Sequence, residues 1–79
     1  KHYALQFYRM EGSDFYIRFC KTKGYNNETD YDDEVKDVLK EYKFIWNGQL
    51  FHQGFTVRSK NFYEITKTYI DLLLKIEKK

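Results

Sequence analysis

Tyr3-Ala4-Leu5-Gln6-Phe7-Tyr8 and Phe15-Tyr16-Ile17-Arg18-Phe19-Cys20 flank the turn cluster Glu11-Gly12-Ser13-Asp14, and the reading of these segments decides the fold. Apolar residues recur at every second position on both sides of a Gly-containing turn, the pattern of a half-buried β-hairpin. Tyr3, Leu5 and Phe7 then share one face with Phe15, Ile17 and Phe19, and this face is expected to be buried. The opposite face carries His2, Gln6, Tyr8, Tyr16, Arg18 and Cys20. The hairpin is placed over 2–22.

Working outward, Gly24-Tyr25-Asn26-Asn27 breaks the strand and the period changes. Tyr31, Val35, Val38, Leu39 and Tyr42 form one helical stripe, which places a helix over 30–42. Thr29 or Asp30 is the expected cap, and Asp32, Asp33 and Glu34 suit the positive end of the helix dipole. Phe44-Ile45-Trp46-Asn47-Gly48-Gln49-Leu50-Phe51 follows. Asn-Gly between apolar runs is the favoured two-residue type I′ turn. It predicts a second hairpin over 43–58 that pairs Trp46 with Gln49, Ile45 with Leu50, and Phe44 with Phe51. Phe44, Trp46, Phe51, Phe55 and Val57 then share a buried face, while Ile45 and Leu50 turn to the open one. From Ser59 the helical period returns. Asn61 with Glu64 resembles a capping box, with Ser59 as the alternative cap. Phe62, Ile65, Tyr69, Leu72, Leu73 and Ile76 make the main stripe of a helix over 61–77, and Tyr63, Ile70 and Leu74 a second strip beside it. A helix so widely apolar is either deeply clasped or touches a partner.

The expected fold is α+β: a single domain over 1–79 in the order β-β-α-β-β-α. An antiparallel four-stranded sheet of two hairpins carries two helices, and a β-grasp-like arrangement is the alternative. The chain has 79 residues and 16 aromatics, so most of the aromatics are needed for the core of so small a domain. Its apolar runs are too short to span a membrane, and Asp71 and Lys75 interrupt the longest. A single cysteine, with no visible signal peptide, fits a reducing, cytoplasmic setting.

The net charge of +2 hides segregation: residues 1–27 carry +3, residues 28–42 carry −5, and residues 43–79 carry +4. The acidic run Glu28–Glu34 lacks the spacing of a calcium loop, and helix capping accounts for it. His2, His52 and Cys20 lack zinc spacing, and a Cys20–His52 pair has no third group to orient it. Neither an enzyme nor a cofactor or metal is expected. Asn27-Glu28-Thr29 matches a glycosylation sequon without a secretion signal to make it meaningful.

Function is therefore sought on the open sheet face, with Gln6, Tyr8, Tyr16, Arg18, Ile45, Leu50 and His52 as candidate partner-binding residues. Tyrosine and arginine together suit a protein hot spot, and Ile45 and Leu50 favour that reading: an adaptor or inhibitor, for example phage-like, acting on a nucleic-acid-processing complex. The alternative is a single-stranded nucleic-acid binder that stacks bases on Tyr8 and Tyr16 and meets phosphates with Arg18, helped by Lys21, Lys23 and Arg58. The acidic segment argues against nucleic acid if it borders this face. A homodimer through the open face or through helix 61–77 is compatible with both. Gln53-Gly54-Phe55-Thr56-Val57, followed by Phe62, Ile65 and Tyr69, resembles the last strand and helix of the single-stranded-DNA-binding transcriptional coactivator family. The resemblance covers about the last third of the chain and implies nucleic-acid binding. The helix at 30–42 interrupts what is a run of strands in that family.

Overall fold

A computed structural model describes residues 3–9, 12, 14–22, 27–49 and 53–76. Strands β1 (Tyr3–Arg9) and β2 (Phe15–Lys21) form the first hairpin in the register that the alternation demands. Tyr8 lies opposite Tyr16, Gln6 opposite Arg18, and Phe7 opposite Ile17. Next in the chain are helix α1 (Asp33–Glu41), strands β3 (Ile45–Asn47) and β4 (Gly54–Ser59), and helix α2 (Phe62–Ile76). The four strands form one antiparallel sheet in the order β1-β2-β4-β3, so the fold is α+β in the expected β-β-α-β-β-α order. Ile17, Phe19 and Phe55 on one sheet face meet Val35 and Leu39 of α1 and Ile65 and Leu72 of α2, with Tyr31 and Phe44 completing the buried cluster. Both helices thus cover the same face and leave the other open. This is the sheet-with-helices arrangement rather than the β-grasp alternative.

The second hairpin departs from expectation. Ile45 pairs with Thr56, Trp46 with Phe55, and Asn47 with Gly54, so residues 48–53 form the connection. Neither Asn47 nor Gly48 has the positive φ that a type I′ turn requires. Asn47 ends the strand instead, and its Oδ1 accepts the Gln49 amide at 3.0 Å. Aromatic packing sets the register: the Trp46 ring lies 5.2 Å from Phe55 and 5.7 Å from Tyr31, both edge-on. The predicted partners Leu50 and Phe51 lie outside the described residues.

Helix α1 starts later than its stripe suggests. Asn27 donates its amide to Asp30 Oδ2 at 2.7 Å and closes a short 3₁₀ turn over Glu28–Asp30, so the N-cap falls to Asp32 rather than Thr29 or Asp30. Tyr31 is extended and drops into the core between these turns, its ring 5.1 Å from Phe55 and 5.7 Å from Tyr3. The helix ends in a Schellman motif. The Phe44 amide donates to the Leu39 carbonyl at 3.0 Å and the Lys43 amide to the Lys40 carbonyl at 2.9 Å, with Lys43 left-handed at φ 66°. The paired burial of Leu39 and Phe44 completes the motif. At the start of α2, Asn61 is the cap as expected, its Oδ1 accepting the Glu64 amide at 3.0 Å. Among the described residues no helix is long and apolar enough to cross a membrane.

Candidate functional site

Alternation along four antiparallel strands sends Ala4, Gln6, Tyr8, Tyr16, Arg18, Cys20, Thr56, Arg58, Ile45 and Asn47 to the open face. Strand pairing sorts the candidates into two rows. One row is Tyr8, Tyr16 and Arg58, across β1, β2 and β4. The tyrosine rings lie 5.7 Å apart at 36°, and the Arg58 guanidinium sits 6.0 Å from the Tyr16 centroid. The second row is Gln6, Arg18, Thr56 and Ile45, which spans the whole sheet. The Tyr8 hydroxyl donates to Gln6 Oε1, which ties the two rows together on β1.

The middle of the face is tighter than its edges. Cys20, placed on the open face by alternation, is only 4% exposed, and Thr56 is also buried. Arg18 lies half-buried over this centre, with Nη2 3.4 Å from Cys20 Sγ. Gly54 makes the packing feasible: a Cβ there would stand 3.1 Å from Cys20 Cβ and 3.2 Å from Arg18 Cγ. The accessible groups therefore lie toward the rim: Tyr8, Arg58 and Ile45, the last 69% exposed. A groove of about 680 Å³ opens where β3 ends and β4 continues, lined by Tyr16, Ile45, Thr56 and Arg58 and closed on the helix side by Glu64 and Thr68.

Of the candidates, Gln6, Tyr8, Tyr16 and Arg18 come together, and Ile45 joins them at the far end of the second row. Leu50, His52 and Lys23 lie outside the described residues. Lys21 is not a helper of this face, because its strand position is on the helix side and its Nζ donates to the Asp30 carbonyl at 3.2 Å. Arg58 is more central than its flanking role in the sequence implied. Its place beside Tyr16 depends on β2 pairing with β4, a contact with no local signal.

Charge sorts by element. None of the four strands contains a carboxylate, and the acidic segment, with α1, packs on the opposite side of the sheet. The acidic run therefore does not border the open face. Among the described residues no three His, Cys, Asp or Glu side chains converge as metal ligands. The open face offers π-faces, amide and hydroxyl groups, and two guanidinium groups. Comparison with known proteins finds no match among family models, curated proteins or solved structures.

Proposed function

We propose that the domain binds nucleic acid on its open sheet face. The observation that carries this reading is the sorting of charge: Arg18 and Arg58 interleave with Tyr8 and Tyr16, and no strand position bears a carboxylate. Guanidinium groups meet phosphates, tyrosine faces stack on unpaired bases, and Gln6 and Asn47 offer both donors and acceptors to base edges. The chemistry shared by single strands and duplexes is the phosphate backbone, and strandedness is an arm of the test.

Fluorescence anisotropy with labelled single-stranded and duplex oligonucleotides, at low and moderate salt, measures this. Two or three phosphate contacts give a slope of log K against log salt of about −1.5 to −3. Arg58→Gln flattens that slope by about one contact. Tyr8→Ala weakens single-strand binding by roughly 1–3 kcal/mol if a base stacks there and leaves duplex binding little changed. No binding to either probe at low salt overturns the reading.

The exposure of Ile45 supports a second reading, in which the same face receives a protein. Capture of one protein from nuclease-treated host extract, abolished by Ile45→Lys, with no oligonucleotide binding, is the result that would replace the first reading with the second.

A further inference from the structure

The two edges of the sheet are built differently. β3 is three residues long, and shortness is one of the usual ways an edge is made harmless. Among the described residues, β1 has none of the usual protections. It is seven residues long and pairs with β2 without a bulge. It contains neither proline nor lysine, and its only charge is the terminal Arg9. Its outer side presents a row of backbone donors and acceptors about 24 Å long.

The apolar strip of α2 lies on the same side of the molecule. Helix α2 turns one flank toward α1, where the Tyr42 hydroxyl donates to Asp71 Oδ2 at 3.4 Å and Lys75 lies 3.8 Å from Glu41. The opposite flank leans over β1: the Phe62 ring lies 6.3 Å from Phe7, and Tyr69 lies 5.4 Å from Phe7. At helical spacing this flank continues through Tyr63, Ile70 and Leu74. Phe62, Tyr63, Ile70 and Leu74 are 58, 83, 49 and 57% exposed. Among the described residues, an open strand edge and an exposed apolar helix flank therefore stand side by side.

We propose that this side pairs with a second copy of the chain, β1 antiparallel to its counterpart across a two-fold axis, with the α2 flanks closing over the junction. The sequence of β1 is complementary to itself in that direction. Centred on Gln6, the register sets Tyr8 against Ala4, Phe7 against Leu5, and Arg9 against Tyr3. Tyr8 meets the small Ala4, Phe7 meets an aliphatic side chain, and each guanidinium meets an aromatic ring rather than its twin. A parallel pairing in register would set Arg9 against Arg9. The four exposed side chains present roughly 450 Å² per copy, so two copies cover about 900 Å² before the strand edges are counted, close to the ~1,000 Å² of a specific interface. Closed two-fold pairing also ends growth at two copies, because the other edge is the short β3. This inference does not depend on what the open face binds.

Sedimentation equilibrium of the intact chain from about 1 to about 200 µM tests it, with amide exchange of β1 measured at both ends of that range. The expected result is a dimer whose β1 amides exchange more slowly at high concentration. Ile70→Lys with Leu74→Lys, on the helix surface, raises the dissociation constant at least tenfold. Gln6→Lys, which brings like charges together at the axis, does the same, and far-UV circular dichroism shows both variants folded. A chain that stays monomeric throughout overturns the proposal. So does a dimer indifferent to both variants, or one in which β1 exchange is independent of concentration. The exchange comparison needs no variant, so it decides the matter even if a substitution unfolds the protein.

Discussion

Gly54→Ala should be among the most destabilising substitutions of a single methyl group in this protein. Gly54 opens β4 at φ +154°, a region that L side chains rarely adopt. A Cβ there would stand 2.8 Å from the Phe19 carbonyl oxygen, which belongs to a paired backbone and has no freedom to retreat. Backbone strain of this kind costs about 1–3 kcal/mol, and the contact adds to it, so a loss of about 3 kcal/mol is expected. For 79 residues the whole stability is on the order of 4–12 kcal/mol, and Tm falls by about 4–8 °C per kcal/mol, which gives a drop of roughly 12–24 °C. Gly12→Ala is the internal control. Gly12 also has a positive φ, +106°, but a Cβ there meets nothing within 4 Å, so only the backbone term of about 1 kcal/mol applies. Urea and thermal unfolding followed by circular dichroism give both numbers. Trp46, the sole tryptophan, adds a fluorescence probe one residue from the partner of Gly54. If Gly54→Ala costs no more than Gly12→Ala, the close approach of β2 and β4 described above is wrong.

Lys43 occupies the left-handed position of the Schellman motif at φ 66°, a site where glycine carries no Cβ penalty, so Lys43→Gly should stabilise by about 0.5–1 kcal/mol. A thermal melt that shows no rise in Tm would count against that cap geometry. Burial pushes the Tyr31 phenol up to about 12, and this makes a prediction for alkaline pH. The native state holds Tyr31 neutral while the unfolded chain ionises near pH 10, so its contribution is full below pH 10 and lost between pH 10 and 12. Tyr31→Phe should cost about 1 kcal/mol at neutral pH, for the lost bond from the Lys21 amide, and should flatten the alkaline fall. The residual slope comes from Tyr3, whose pKa burial also raises, and from Lys75, whose pKa is raised by its hydrogen bond with Tyr42. Denaturant midpoints taken from pH 7 to pH 12 measure both effects.

What the sequence disclosed depended on the range of the forces involved. The first hairpin and α2 were legible because their signals are local and mutually consistent: strict alternation about a turn, and a cap with a stripe behind it. Asn47-Gly48 shows where local preference loses. A tight turn there offers good backbone geometry, but the alternative register packs the half-buried Trp46 edge-on against the buried Phe55 and Tyr31, and this aromatic packing outweighs turn preference. Tyr31 misled for a related reason. It sits at helical spacing from Val35, yet it reaches the core from an extended turn, because Asp30 is already engaged with Asn27. On the open face, parity alone identified Gln6, Tyr8, Tyr16 and Arg18. It could not show that Cys20 is sealed beneath Arg18 or that Arg58 stands beside Tyr16, since both depend on β4 lying next to β2.

Strand order also decides how the charge of the chain is felt. A count of +2 describes a nearly neutral protein, but the four strands contain no carboxylate and carry only basic charge. Two of those strand cations are spent on the helix side: Lys21 on the Asp30 carbonyl, and Arg9 over the Phe15 ring at 5.8 Å. Arg18 and Arg58 occupy open-face positions on β2 and β4. The acidic helix packs about one layer away, some 10 Å, which is close to the Debye length at 0.1 M salt. Near physiological ionic strength the open face therefore presents its own two cations, with the acidic layer largely screened. At about 0.01 M salt the Debye length reaches roughly 30 Å and the face senses the carboxylates behind it. Lowering the salt then strengthens attraction to phosphate less than the count of arginines alone implies, so a salt slope that shallows below about 0.05 M is the signature of this layered charge.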